Sequence, residues 1–153
     1  MATVRERLDA DLKDAMRGKN ELNTSVIRML KSAIKYKEVE PGATGPLEEG
    51  AILQVIGTLI KQRRESVDQY KAGGRADLAE KEEAEIAVLQ KYLPQQLTPD
   101  ELRAEVQAAI TATGAKSAKD MGAVMKQLTP KLQGRAEGRA ISEEVKGQLS
   151  KLS

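Results

Sequence analysis

The chain has no cysteine, no histidine, no tryptophan and no phenylalanine. Each absence excludes something. Without Cys there is no disulfide, no thiol nucleophile and no thiol redox chemistry. Without Cys and His, the usual zinc ligand sets are gone, as is any catalytic triad with a histidine base. Aromatic residues are three tyrosines, Tyr36, Tyr70 and Tyr92, in 153 residues. A core must then be built from Leu, Ile, Val, Ala and Met, which suits close helix–helix contacts better than a sheet. No long apolar run and no apolar signal core occur, so the expectation is a cytoplasmic protein without a membrane span.

What is present is charge and helical periodicity. Charged residues make up 31% of the chain, with a net charge of +2. Basic and acidic side chains balance at sixteen each over 1–93, and the excess lies in 94–153. Residues 116–139 hold six cations against two carboxylates, a local net charge of +4. At the end of that stretch stands Pro130-Lys-Leu-Gln-Gly134-Arg135-Ala-Glu-Gly138-Arg139-Ala140, with two glycines four apart and an arginine after each.

Apolar residues recur at three- and four-residue steps from end to end, the mark of amphipathic helices. Thr3-x-x-Glu6 opens the first helix as a capping box, with Val4, Leu8, Leu12, Ala15 and Met16 on one face and Gly18 as its end. A second helix runs from about Asn20 to Val39, its stripe being Leu22, Val26, Met29, Leu30, Ala33 and Ile34. Glu40–Pro46 reads as a loop. A third helix starts near Leu47 and stops at Gly73-Gly74; Gly57 in its middle predicts a close helix crossing. A fourth spans about Arg75–Tyr92, and Pro94 ends it. Thr98-Pro99-Asp100-Glu101 is a complete helix start. Ser117 with Asp120 caps a sixth helix, Thr129-Pro130 reads as the start of a short separate turn, and a last helix begins near Arg139 with Ile141, Val145, Leu149 and Leu152 inward.

The predicted fold is therefore all-α. A four-helix N-terminal domain occupies 1–93, a domain of three to four short helices occupies 94–153, and Pro94–Thr98 is the hinge.

Three segments carry a family resemblance: LNTSVIRMLKSAIKYKEVE (22–40), AEIAVLQKYLPQQLTPDEL (84–102) and TGAKSAKDMGAVMKQLTPKLQGRAEGRA (113–140). Together they resemble the YqeY family of small bacterial proteins. Residues 94–153 also resemble the tail domain of GatB, the B subunit of glutamyl/aspartyl-tRNA amidotransferase. The resemblance implies two small helical domains and a tie to tRNA. In the amidotransferase the tail helps hold the tRNA while other domains do the chemistry, and similar modules accompany some glutaminyl-tRNA synthetases.

The expected function is a tRNA-binding accessory module that is non-catalytic by itself, with no metal and no cofactor. Its RNA-binding candidates are Lys116, Lys119, Lys126, Lys131, Arg135 and Arg139. Arginine suits phosphate because its planar fork donates two hydrogen bonds, and Lys119 and Lys126, seven apart, share a helix face. Gly134 and Gly138 are expected as structural turns. The competing reading of the same residues is a solvated basic face. With so few aromatics there is no obvious platform for stacked bases, so a folded RNA read through its phosphates is the expected target.

Two alternatives stay open. One is carbon–nitrogen ligase activity, with glutamine as amido-N-donor, only as part of a tRNA-dependent amidotransferase complex; the chain has no GxxxxGK[ST] phosphate loop of its own. The other is a protein–protein adaptor for an aminoacyl-tRNA synthetase or amidotransferase. Its mark would be exposed apolar surface on the first four helices.

Overall fold

A computed structural model describes residues 2–152. Among them there is no strand. Seven α-helices follow in order: α1 Val4–Arg17, α2 Glu21–Val39, α3 Glu49–Ala72, α4 Ala76–Gln90, α5 Pro99–Thr113, α6 Met121–Lys131 and α7 Gly138–Ser150, with a single 3₁₀ turn, Ala118–Asp120, ahead of α6. The chain divides into two compact units, the first ending at Leu93 and the second beginning at Pro94.

In the first unit α3 packs along α4, α1 along α2, and α2 against both α3 and α4. Their facing stripes interlock in one core, with Leu8, Ile27, Leu30, Ile56, Ile60, Ile86 and Leu89 all but sealed from solvent. Polar bonds fasten its edges. Arg5 pairs with Glu38. Glu38 also accepts from the Leu47 N–H at 2.7 Å, and Arg5 donates to the Leu47 carbonyl at 3.1 Å. Leu47 is thus held in the loop, and α3 starts two residues later than the sequence predicts. Tyr92 is buried and donates its hydroxyl to Asp11 at 2.6 Å, while the Arg7 guanidinium lies 5.0 Å above its ring.

Helix ends follow their caps, with one exception to expectation. Thr3 and Asn20 accept from the N–H groups of Glu6 and Asn23, as N-caps do. At the end of α3 Gly74 takes the left-handed conformation and the Arg75 N–H reaches back to the Tyr70 carbonyl at 2.7 Å, a Schellman closure. At the end of α1 the same closure, Asn20 N–H to Ala15 carbonyl at 2.8 Å, places Lys19 rather than Gly18 in that conformation, at φ +54°.

Other expectations give way as well. Gly57 is exposed, and a Cβ built there meets nothing within 4 Å; no helix crosses at it. Met16 and Leu152, expected inward, are 51% and 54% exposed, and Leu22 is 37% exposed. Pro130 does not open a new turn but lies inside α6. It sits in the last turn, where the ring removes a single helical bond. The adjacent Thr129 hydroxyl donates to the Met125 carbonyl at 2.8 Å, and the Leu132 N–H still reaches Leu128 at 2.9 Å.

The second unit packs α5, α6 and α7 pairwise around Val106, Val124, Leu128, Leu132, Val145 and Leu149. Thr98 and Glu101 form the expected capping box at α5.

Candidate nucleic-acid interface

The basic segment 116–139 runs from the turn before α6 to the first turn of α7, and the local folding decides what each cation can do. Ser117 and Asp120 form a capping box around the 3₁₀ turn. Asp120 accepts from the N–H groups of Lys116 at 2.8 Å and Ser117 at 3.3 Å. These two backbone donors, Lys116 first, hold its carboxyl below the usual carboxylate range, because they favour its charged form. The turn is thereby fixed, and the side chains of Lys116 and Lys119 stand exposed on it. One and a half turns further on, Val124 and Leu128 face the core while Lys126 is exposed. Among the described residues, none of the ammonium groups of Lys116, Lys119 and Lys126 has a carboxylate within 4 Å, although the Lys116 backbone N–H is bonded to Asp120.

The other three candidates are engaged. Lys131 lies 2.8 Å from Glu105 on α5. Arg139 lies 3.6 Å from Glu143, one turn along α7. The Arg139–Glu143 pair is exposed on both sides, and such pairs contribute about 0–1 kcal/mol, so a phosphate could displace it, whereas the Glu105 oxygen facing Lys131 is buried and has no other partner among the described residues. Arg135 is half-buried, and its Nε donates to the Gln95 carbonyl at 3.3 Å. Its own carbonyl accepts from the Leu97 N–H at 2.9 Å, and Gln96 donates to the Gly134 carbonyl at 2.6 Å. The arginine after the first glycine therefore faces the Pro94–Thr98 segment, which is held against the turn.

The two glycines differ. Gly134 is left-handed at φ +77°, a conformation that penalises any side chain. Gly138 is the first residue of α7, with open space where a Cβ would project; the backbone does not require glycine there. Glu137 occupies the N-cap position of α7, which sets a carboxylate at the start of that helix beside Arg139.

Two shallow grooves lie elsewhere on the described surface. One of about 350 Å³ lies between α5 and α7, bordered by Arg103, Thr111, Glu144 and Gln148. The other, about 500 Å³, lies between α1 and α2, bordered by Arg5, Asp9, Lys31, Ser32 and Glu38. Their carboxylates have partners: Glu144 lies 3.8 Å from Arg103 in the first groove, and in the second Asp9 meets Lys31 at 2.7 Å and Glu38 meets Arg5 and the Leu47 N–H. The Lys31 hydrogen bond holds Asp9 low, and the Leu47 N–H, then Arg5, hold Glu38 low. A carboxylate so stabilised is a weak general base. Among the described residues no group of three or more Asp or Glu converges as a metal site, and no helix is long and apolar enough to cross a membrane.

A family described as Yqey-like protein matches residues 5–149. The chain belongs to the YqeY family. Among relatives, this YqeY protein is 38% identical over 104 residues to the altered inheritance of mitochondria protein 41, mitochondrial, of Lachancea thermotolerans, a match covering 68% of the chain and 54% of the relative. Its counterparts in Eremothecium gossypii and Vanderwaltozyma polyspora are 38% and 40% identical over 86 residues, covering 56% of the chain and 46% of each relative. The matches thus span about half the length of those relatives. They overturn the cytoplasmic expectation, since each of these relatives is named as mitochondrial. That expectation rested on the lack of a long apolar run and of an apolar signal core, and neither feature separates the cytosol from the interior of an organelle. Membership of the YqeY family supports a structural or adaptor role for the chain.

Proposed function

We propose that this YqeY-family protein is a tRNA-binding accessory module whose second unit grips the RNA by its phosphates. The observation that carries the reading is the row Lys116, Lys119 and Lys126. These are three exposed cations on one fixed turn and the helix it opens, with no carboxylate within 4 Å of their ammonium groups among the described residues. Arg139 joins by exchanging Glu143 for phosphate, Lys131 stays paired with the buried Glu105 oxygen beside them, and Arg135 braces the turn between the two. Ligand chemistry of this kind reads shape and backbone rather than bases. Any carbon–nitrogen ligase activity belongs to an amidotransferase complex that the module would serve. Binding of tRNA followed across a salt series tests the reading, because the three lysines alone contribute a log–log slope of roughly −2 to −3, and each further cation that neutralises a phosphate adds about −0.7 to −0.9.

A second reading, an adaptor for a synthetase or amidotransferase, is favoured by one separate observation. Four large apolar side chains of the first unit, Met16, Leu22, Tyr36 and Val39, are exposed.

A further inference from the structure

Three of those four side chains lie on α2, and their spacing is regular. Leu22, Met29 and Tyr36 are seven apart, and Ser25, Ser32 and Val39 follow each by three. That is the a/d spacing of a helix seam, here carried on a single helix. Leu22, Tyr36 and Val39 are 37%, 70% and 65% exposed; Ser25 and Ser32 are exposed, and Met29 is half-buried. The core of the first unit uses a different face of the same helix, Val26, Ile27, Leu30 and Ile34. So α2 carries a second apolar stripe: its middle residue, Met29, packs at the edge of the core, where Arg63 of α3 donates to its sulfur at 3.5 Å, while Leu22 at one end and Tyr36 and Val39 at the other are exposed. The stripe extends about 26 Å at 1.5 Å per residue. Ser25 and Ser32 between them leave room for a close backbone approach, while the exposed Leu22, Tyr36 and Val39 supply the anchors.

The flank of this seam is basic in its middle and upper parts. Arg28 and Lys35 each precede an anchor by one residue. Both are exposed; Arg28 donates to the Met16 sulfur at 3.7 Å, and among the described residues neither forms an ion pair within 4 Å. The acidic residues at the same end are engaged: Glu38 with Arg5 and the Leu47 N–H, Glu40 with Lys37 at 3.7 Å. A second copy of α2 laid antiparallel, Leu22 opposite Val39, would bring Arg28 towards Lys35 of the other copy, a like-charge meeting. The seam therefore fits a helix of a different protein.

We propose that the outer face of α2 docks an amphipathic helix of a partner protein, with apolar residues at i, i+3 and i+7 and carboxylates along the edge that meets Arg28 and Lys35. This is the helix-on-helix mode of peptide recognition. It rests on the adaptor reading and is independent of the RNA reading. A single seam buries less than the ~1,200–2,000 Å² of a standard stable interface, so the complex is of the transient kind.

The test uses the ¹⁵N-labelled full chain and two synthetic three-heptad peptides with Leu at every a and d position. One carries Glu at every e and g position, the other Lys. The expected result is that the Glu peptide shifts the amide signals of Leu22, Ser25, Ser32, Tyr36 and Val39. The Lys peptide binds at least tenfold more weakly. R28E together with K35E reverses the preference, and Y36S weakens both peptides severalfold. Circular dichroism confirms that these surface variants stay folded. Shifts confined to other helices, equal binding of both peptides, or unreversed preference in the charge-swapped variant would overturn the proposal. So would a concentration-dependent dimer whose interface maps to α2, or tRNA shifting these same amides. Loss of tRNA binding by second-unit variants would leave this result untouched, so the two readings fail separately.

Discussion

Leu97 and Arg135 are joined backbone to backbone, the Leu97 N–H donating to the Arg135 carbonyl at 2.9 Å, and the Arg135 side chain returns a bond to the neighbouring Gln95 carbonyl. The turn at Gly134 and the segment leading into α5 thus brace each other. Glu101, which closes the capping box with Thr98, is held low by hydrogen bonds from Thr98, with the Arg135 charge adding to the effect.

This bracing separates the two glycines of the Gly-Arg-Ala-Glu-Gly-Arg stretch. Gly134→Ala forces a side chain into the left-handed region and is expected to destabilise the protein by about 1–2 kcal/mol. Gly138→Ala replaces a helical glycine facing open space and should be neutral or stabilising by up to about 1 kcal/mol. Chemical denaturation of both variants measures the difference; equal losses would contradict it.

Lys19 pays for its left-handed φ of +54° at the end of α1. Lys19→Gly relieves that penalty and should stabilise the protein by about 0.5–1 kcal/mol, net of glycine's entropy. Gly18→Ala, at φ −83° with its nearest obstacle a backbone oxygen at 3.4 Å, should bring no such gain. Thermal unfolding of the pair decides the point.

Tyr92 gives a pH signature. Burial, then the hydrogen bond to Asp11 and the charge of Asp11, push its hydroxyl above the ordinary value of 10.0. The folded state therefore favours the neutral phenol. Its contribution is fully present below pH 10 and is lost as pH rises beyond it, because the unfolded chain releases the proton first. Tyr92→Phe should cost about 1 kcal/mol near neutral pH and flatten the decline above pH 10. Urea titrations at pH 7, 9 and 10.5 check both parts.

Much of the fold was legible because caps and stripes are local. Thr3, Asn20, Thr98 and Ser117 each accept a backbone N–H as their sequence contexts imply. What escaped was set by tertiary partners. Leu47 reads as helix but is claimed by Glu38 and Arg5. Pro130 reads as a breaker but costs one bond in a final turn that continues through Leu132. Leu22 and Met29 fit the core stripe of α2 by spacing, and only the packing separates Leu22, exposed, from Val26, buried. At the candidate interface, sequence could count six cations. It could not tell that Lys131 and Arg139 would meet Glu105 and Glu143, or that Arg135 would face Gln95. Lys116, Lys119 and Lys126 are what remains after those partners are assigned.

The central claim is that these three lysines carry an RNA backbone. The direct measurement is tRNA binding by the full chain at several salt concentrations, beside the variant K116E/K119E/K126E, with circular dichroism to show that the variant folds. The account predicts binding that weakens steeply with salt, and a variant that loses at least tenfold in affinity together with about two to three units of log–log slope. A flat salt response, or a variant that binds as the wild type does, would contradict it and leave the basic segment a solvated face.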